Sequence, residues 1–209
     1  MSERGALLAV DAGTSGCRVA AFELVGRLLH EHAVPYRPRL GPGGRAEQPL
    51  ADVESAMLTG LGAVAGLLGG RQPVALAVDA QLGLVLHNRA GMPLEDALTW
   101  QDRRAEAQAA RIEVSFGQEH LYGITGRRAS GEQIGPQLRW FADHAPECHA
   151  RIGRAFTLKD HLVWRLTGQV ATDVTHASYS LLANVHQNRW QPELLEAARV
   201  KPEMLPPIR

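Results

Sequence analysis

The most constraining feature of this chain lies at its start. An apolar run, Ala6 to Val10, ends on Asp11-Ala-Gly13-Thr14-Ser15-Gly16 and resumes as the stretch Cys17 to Leu24. A short apolar run bounded by turn residues predicts a buried strand, and strand, glycine turn, strand predicts a hairpin. Gly13 and Gly16 are expected to let the backbone turn sharply and bring its N–H groups toward an anion. Thr14 and Ser15 add hydroxyl donors. Arg18 adds a positive charge on the outgoing strand. Asp11, at the end of the first strand, is placed to hold a hydrated Mg²⁺. The same residues also read as a hairpin turn with a capping Asp, and composition alone does not separate the two.

The rest of the chain predicts α/β with a mixed sheet. Leu28 to Val34 reads as a third strand. Leu50 to Leu68 reads as a helix, because Val53, Met57, Leu61, Val64 and Leu68 recur at spacings of three and four. Asp52 is its expected cap and Gly69-Gly70 its stop. Pro73 to Val78 predicts a second buried strand, with Leu82 to Leu86 continuing the sheet. Ala97 to Trp100 is a short extended piece. Helices are expected over 102–116, 136–144, 160–166 and 192–200.

The 209 residues suit one large domain, or one lobe of a two-lobed enzyme. The 22 basic residues balance the 22 acidic ones, so net charge points to neither nucleic acid nor a membrane surface as partner. No apolar stretch approaches the ~20 residues a membrane-spanning helix needs. The two cysteines, Cys17 and Cys148, lie far apart and suit a reducing cytoplasm. The histidines form no ligand-spaced cluster.

Asp11-Ala-Gly13-Thr14-Ser15-Gly-Cys-Arg18 after an N-terminal strand resembles the first phosphate motif of the sugar kinase, Hsp70 and actin superfamily. Three further stretches resemble the FGGY carbohydrate kinases in particular. Ala46-Glu47-Gln48-Pro49 is similar to their Glu-Gln-Asp-Pro loop. Trp100-Gln-Asp102-Arg103-Arg104 is similar to their Trp-x-Asp-x-Arg segment. Lys159-Asp160-His-Leu, Leu-Thr167-Gly168, Ala-Thr172-Asp173 and Ala177-Ser178 follow the order of a stretch in xylulokinases and gluconokinases. The resemblance implies a ribonuclease-H-like lobe over residues 1–209, cut off before its C-terminal partner lobe. It implies ATP and Mg²⁺ as cofactors and a small sugar, sugar acid or polyol as substrate, in a cytoplasmic enzyme that leaves room for a homodimer. Asp11, Gly13, Thr14, Ser15 and Arg18 would then face the nucleotide, with Asp11 at the metal. Gln81, Trp100, Asp102 and Asp173 would face the sugar, although Asp102 and Asp173 also read as helix caps.

Two departures stand out. Pentulose and gluconate kinases carry Gln-Met-His-Gly where this chain has Gln81-Leu82-Gly83-Leu84, so the sugar-contacting His is missing. The general base of the family, an Asp in a late glycine turn, is expected beyond residue 209. The chain alone is therefore expected to be inactive. Two other readings stay open: a shortened non-catalytic sugar-binding or regulatory module, and an actin- or Hsp70-like ATPase lobe, which the Trp100 segment disfavours.

Overall fold

The computed structural model describes residues 5–209. In chain order the elements are β1 (Gly5–Ala12), β2 (Gly16–Glu23), β3 (Leu28–Pro35), β4 (Arg39–Leu40), β5 (Ala46–Gln48), α1 (Leu50–Gly66), β6 (Gln72–Ala80), β7 (Gly83–Asn88) and β8 (Ala97–Thr99). There follow α2 (Glu106–Phe116), α3 (Gln118–Thr125), α4 (Ile134–His144), α5 (Pro146–Arg151), β9 (Ile152–Thr157), α6 (Leu158–Thr167), α7 (Val174–Tyr179), β10 (Ala183–Asn184), β11 (Arg189–Trp190) and α8 (Pro192–Ala197). They divide into two compact units. The first takes the residues up to Arg39 together with Gln48–Gln81, the second Leu40–Glu47 together with Leu82–Arg209.

The first unit is a four-stranded sheet in the order β3-β2-β1-β6. β1–β2 and β2–β3 pair antiparallel and β1–β6 parallel, which makes the sheet mixed, as expected. One face of α1 (Val53, Ala56, Met57, Gly60 and Val64) is buried, and the helix lies over β2 and β3. The contact is close: a Cβ on Gly60 would lie 2.6 Å from Val19 Cγ2. Asp52 does not cap this helix. Pro49 occupies the N-cap without a side-chain bond, and Asp52 sits inside the first turn, where a carboxylate still meets the positive end of the helix dipole. The expectation that Pro73 to Val78 is buried is also corrected. β6 is an edge strand that α1 does not cover, with Val74 60% and Leu76 39% exposed.

The second unit carries a five-stranded sheet in the order β4-β5-β8-β7-β9 and a β10–β11 hairpin. β7 therefore belongs to this sheet and does not continue the first. It pairs antiparallel with both β8 and β9. Leu84, Leu86, Leu98, Ile112, Leu138, Phe141 and Leu182 form the centre of a buried cluster. α2 starts at Glu106, four residues later than expected, with Ala105 at its N-cap. α6 is capped by Thr157, whose hydroxyl accepts from Asp160 N at 3.1 Å, and ends on Gly168 at φ 70°. No helix among the described residues is long and apolar enough to cross a membrane.

Candidate functional site

The turn between β1 and β2 sits at the C-terminal end of β1 and is closed by Gly13 N donating to Gly16 O at 3.0 Å. Asp11, Arg18 and Asp79 stand in register on β1, β2 and β6 and all three are exposed. Residues in register on adjacent strands share a face, with strands about 4.8 Å apart. Two carboxylates, Asp11 and Asp79, thus stand side by side, with a guanidinium on the far flank of Asp11. Adjacent like charges repel, and oxygen ligands of this kind fit a hard divalent cation. Arg18 is extended into solvent, with Nε 4.0 Å from the Glu31 carboxylate. Its place on the sheet matches the expectation, and it makes no bond to the turn.

Neither Gly13 nor Gly16 adopts positive φ. Gly16 is needed because a Cβ there would lie 2.8 Å from Val34 O on β3. The turn takes its shape from side chains instead. Tyr36 OH donates to Gly13 O at 3.0 Å, and Gln48 Nε2 donates to Thr14 O at 3.1 Å. Gln81 joins this ring: its Nε2 donates to Gln48 Oε1 at 2.5 Å, and its Oε1 accepts from Thr14 Oγ1 at 3.3 Å. Gln48 is fully buried. Burial pushes the Tyr36 phenol above its ordinary range, with smaller help from Cys17 and Asp11, so it remains a donor at neutral pH. Sequence reasoning noted the Glu47-Gln48-Pro49 loop but gave Gln48 no role, and it passed over Tyr36 and Asp79. Only register or packing reveals these three.

In the second unit, Trp100 is 44% exposed just after β8. Asp102 is fully buried. Its Oδ2 accepts from Ala46 N at 2.9 Å and Arg104 Nη2 at 2.7 Å, and its Oδ1 accepts from Arg104 N and Nε at 3.1 and 3.0 Å. Arg104 also bonds Glu47 and lies over the Trp140 ring. This corrects the cap reading of Asp102. It does not cap α2, whose N-cap is Ala105, and its buried carboxylate accepts from Ala46 and Arg104. Asp173 does act as a cap, accepting from His176 N at 2.9 Å at the start of α7, and it pairs with Lys159. Burial would push the Asp173 carboxyl up, but hydrogen bonds from Lys159 and His176 outweigh it and hold the group well below the usual carboxylate range. A Cβ on Gly83 would lie 2.5 Å from Leu98 O, so β7 approaches β8 at this point more closely than a side chain would allow. A groove of about 450 Å³ lined by Gln108, Arg111, Ile112 and Arg139 contains none of the expected site residues.

The profile of the N-terminal domain of the FGGY family of carbohydrate kinases matches residues 6–209. The chain belongs to that family. A glycerol kinase from Leptothrix cholodnii is 34% identical over 97% of the chain and 43% of its own length. A xylulose kinase structure from Rhodospirillum rubrum superposes with TM-score 0.93 over 98% of the chain and 42% of the other, at 20% identity. A Plasmodium falciparum glycerol kinase with ADP gives 0.87 over 99% of the chain and 43% of the other, at 18% identity. The structural likenesses establish the sugar-kinase fold. The chain spans well under half the length of the curated FGGY relatives it matches.

Proposed function

We propose that this chain is the N-terminal part of an ATP-dependent kinase that phosphorylates a hydroxyl of a small sugar, sugar acid or polyol in the cytoplasm. The observation that carries this reading is the β1–β2 turn, with its hydroxyls at Thr14 and Ser15 and the paired carboxylates Asp11 and Asp79 in register beside it. The backbone and hydroxyls of residues 13–15 would meet the outer phosphates of ATP, and Arg18 would add long-range attraction for the polyphosphate. Asp11, with Asp79 alongside, would hold Mg²⁺, which when bound neutralises charge on the transferring phosphoryl group. Trp100 offers an exposed ring to the C–H face of an acceptor. Asp173, committed to Lys159 and His176, would shape its own helix start. The acceptor's proton would go to a base outside residues 1–209.

Among acceptors, a polyol is favoured. The curated relatives at 30–34% identity are glycerol kinases, and this chain has Gly83 where the resemblance places the sugar-contacting His of the pentulose and gluconate enzymes. The test is acceptor-dependent ADP release by the complete protein across glycerol, other polyols, pentuloses and gluconate. ADP release with glycerol or another polyol supports the reading. No release with any acceptor, together with sugar binding, would favour a non-catalytic module. Residues 1–209 alone are expected to release no ADP above background, since a positioned acid–base group typically contributes about 10²–10⁴-fold.

A further inference from the structure

We infer that Tyr36 and Gln48, with Gln81 behind them, are positioning residues that fix the peptide planes of the phosphate turn. This inference rests on the kinase reading above and deepens it. Four consecutive carbonyls of the turn all accept a hydrogen bond. Gly13 O accepts from Tyr36 OH at 3.0 Å, Thr14 O from Gln48 Nε2 at 3.1 Å, Ser15 O from Tyr36 N at 3.1 Å, and Gly16 O from Gly13 N at 3.0 Å. Each peptide is planar and trans, so its N–H points opposite its C=O. Binding the carbonyls of residues 13, 14 and 15 therefore also sets the directions of the N–H groups of Thr14, Ser15 and Gly16.

This matters for an anion. A glycine-flanked turn can flip its peptides, and one flipped carbonyl would present a partial negative charge to a phosphate. Donors aimed in advance at the ligand cost no reorganisation when it arrives. Tyr36 contributes twice, through its hydroxyl and its backbone N–H, so its ring and chain clamp both ends of the Gly13–Ser15 segment. Gln48 holds the middle. Gln48 is itself held by Gln81, whose carboxamide oxygen takes the Thr14 hydroxyl, and the ring Thr14–Gln48–Gln81 closes on itself. Gln81 thereby acts on the turn. Gln48 is fully buried and Tyr36 nearly so, so both act through the turn and neither is a surface ligand.

The test uses the ¹⁵N-labelled complete protein and magnesium tripolyphosphate, which carries the phosphate chain without the nucleoside. Amide shifts of Ser15 and Gly16 are followed in wild type, Tyr36→Phe and Gln48→Met. Tyr36→Phe keeps the ring and removes only the hydroxyl. Gln48→Met keeps the length and removes the donor. The expected result is that both variants shift or broaden the Ser15 and Gly16 amides before ligand is added and bind about fivefold or more weakly, while amides of the second unit and the melting temperature of Tyr36→Phe stay at wild-type values. If wild type binds but Tyr36→Phe and Gln48→Met bind within twofold of it with unmoved turn amides, the inference fails and the kinase reading stands. If the wild-type turn amides ignore the ligand, the phosphate-turn reading fails and the inference with it.

Discussion

Asp102 holds Arg104 by two parallel contacts, Nε to Oδ1 at 3.0 Å and Nη2 to Oδ2 at 2.7 Å, with side chains 0% and 4% exposed. Removing one partner of a buried, hydrogen-bonded ion pair leaves the other charge uncompensated, at a cost of about 3–5 kcal/mol. Glu47 also touches Arg104 and keeps part of that charge paired, so Asp102→Ala should lose about 3 kcal/mol in urea unfolding. A loss under about 0.5 kcal/mol, as for ordinary surface changes, would show that the pair does not hold this corner.

His87 sets an acid limit on stability. It is 1% exposed, neither ring nitrogen has a hydrogen-bond partner among the described residues, and Phe156, His161 and Trp164 surround it at centroid distances of 5.6, 5.0 and 5.1 Å. Burial, then His161, Arg154 and Arg165, push its pKa down to about 4. The folded state binds the proton less readily than the unfolded state. This contribution is therefore fully present above the unfolded value near 6.5 and is lost as pH falls toward 4. A shift of this size corresponds to about 3 kcal/mol. His87→Phe should flatten the stability profile between pH 6.5 and 4, as read by urea midpoints at each pH. An unchanged slope would place the acid sensitivity elsewhere.

Two glycines of α1 should respond to alanine with opposite signs. At Gly60 the new Cβ would lie 2.6 Å from Val19 Cγ2, whereas at Gly62 nothing lies within 4 Å. Alanine gains about 1 kcal/mol of helix propensity, but overpacking typically costs about 1–3 kcal/mol. Gly60→Ala is expected to destabilise by about 1 kcal/mol and Gly62→Ala to stabilise by about 0.5–1 kcal/mol. Melting curves that rank the two the other way would mean that α1 does not pack on β2 as described.

The hairpin was legible because its signals are local. The apolar run to Val10, the glycine turn and the second run predict β1 and β2 within two residues, and the spacing of Val53, Met57 and Val64 predicts the buried face of α1. The fate of β6 was not legible. Pro73-Val-Ala-Leu-Ala-Val is as apolar as a core strand, but its burial depends on which neighbours cover it, and α1 lies elsewhere. Asp102 misled for a related reason: a charged residue after a short strand suggests a cap or a ligand, and only the fold shows that Ala46 N and Arg104 enclose it. Asp11 stands out at the end of the first apolar run, whereas Gln81, expected to face the sugar, and Tyr36 and Gln48 reach the turn from 67, 23 and 34 residues away, distances that no local pattern spans.

In the proposed function the Asp11 turn serves the phosphates of a nucleotide in an FGGY kinase. The direct test is ADP release by the complete protein with and without Asp11→Asn, measured with MgATP and saturating acceptor, alongside acceptor binding by calorimetry without nucleotide. The account predicts acceptor-dependent ADP release in wild type, turnover lowered by at least about 10²-fold in Asp11→Asn, and acceptor affinity within about twofold of wild type. Turnover that survives Asp11→Asn, or acceptor affinity that collapses while the fold persists, would contradict it.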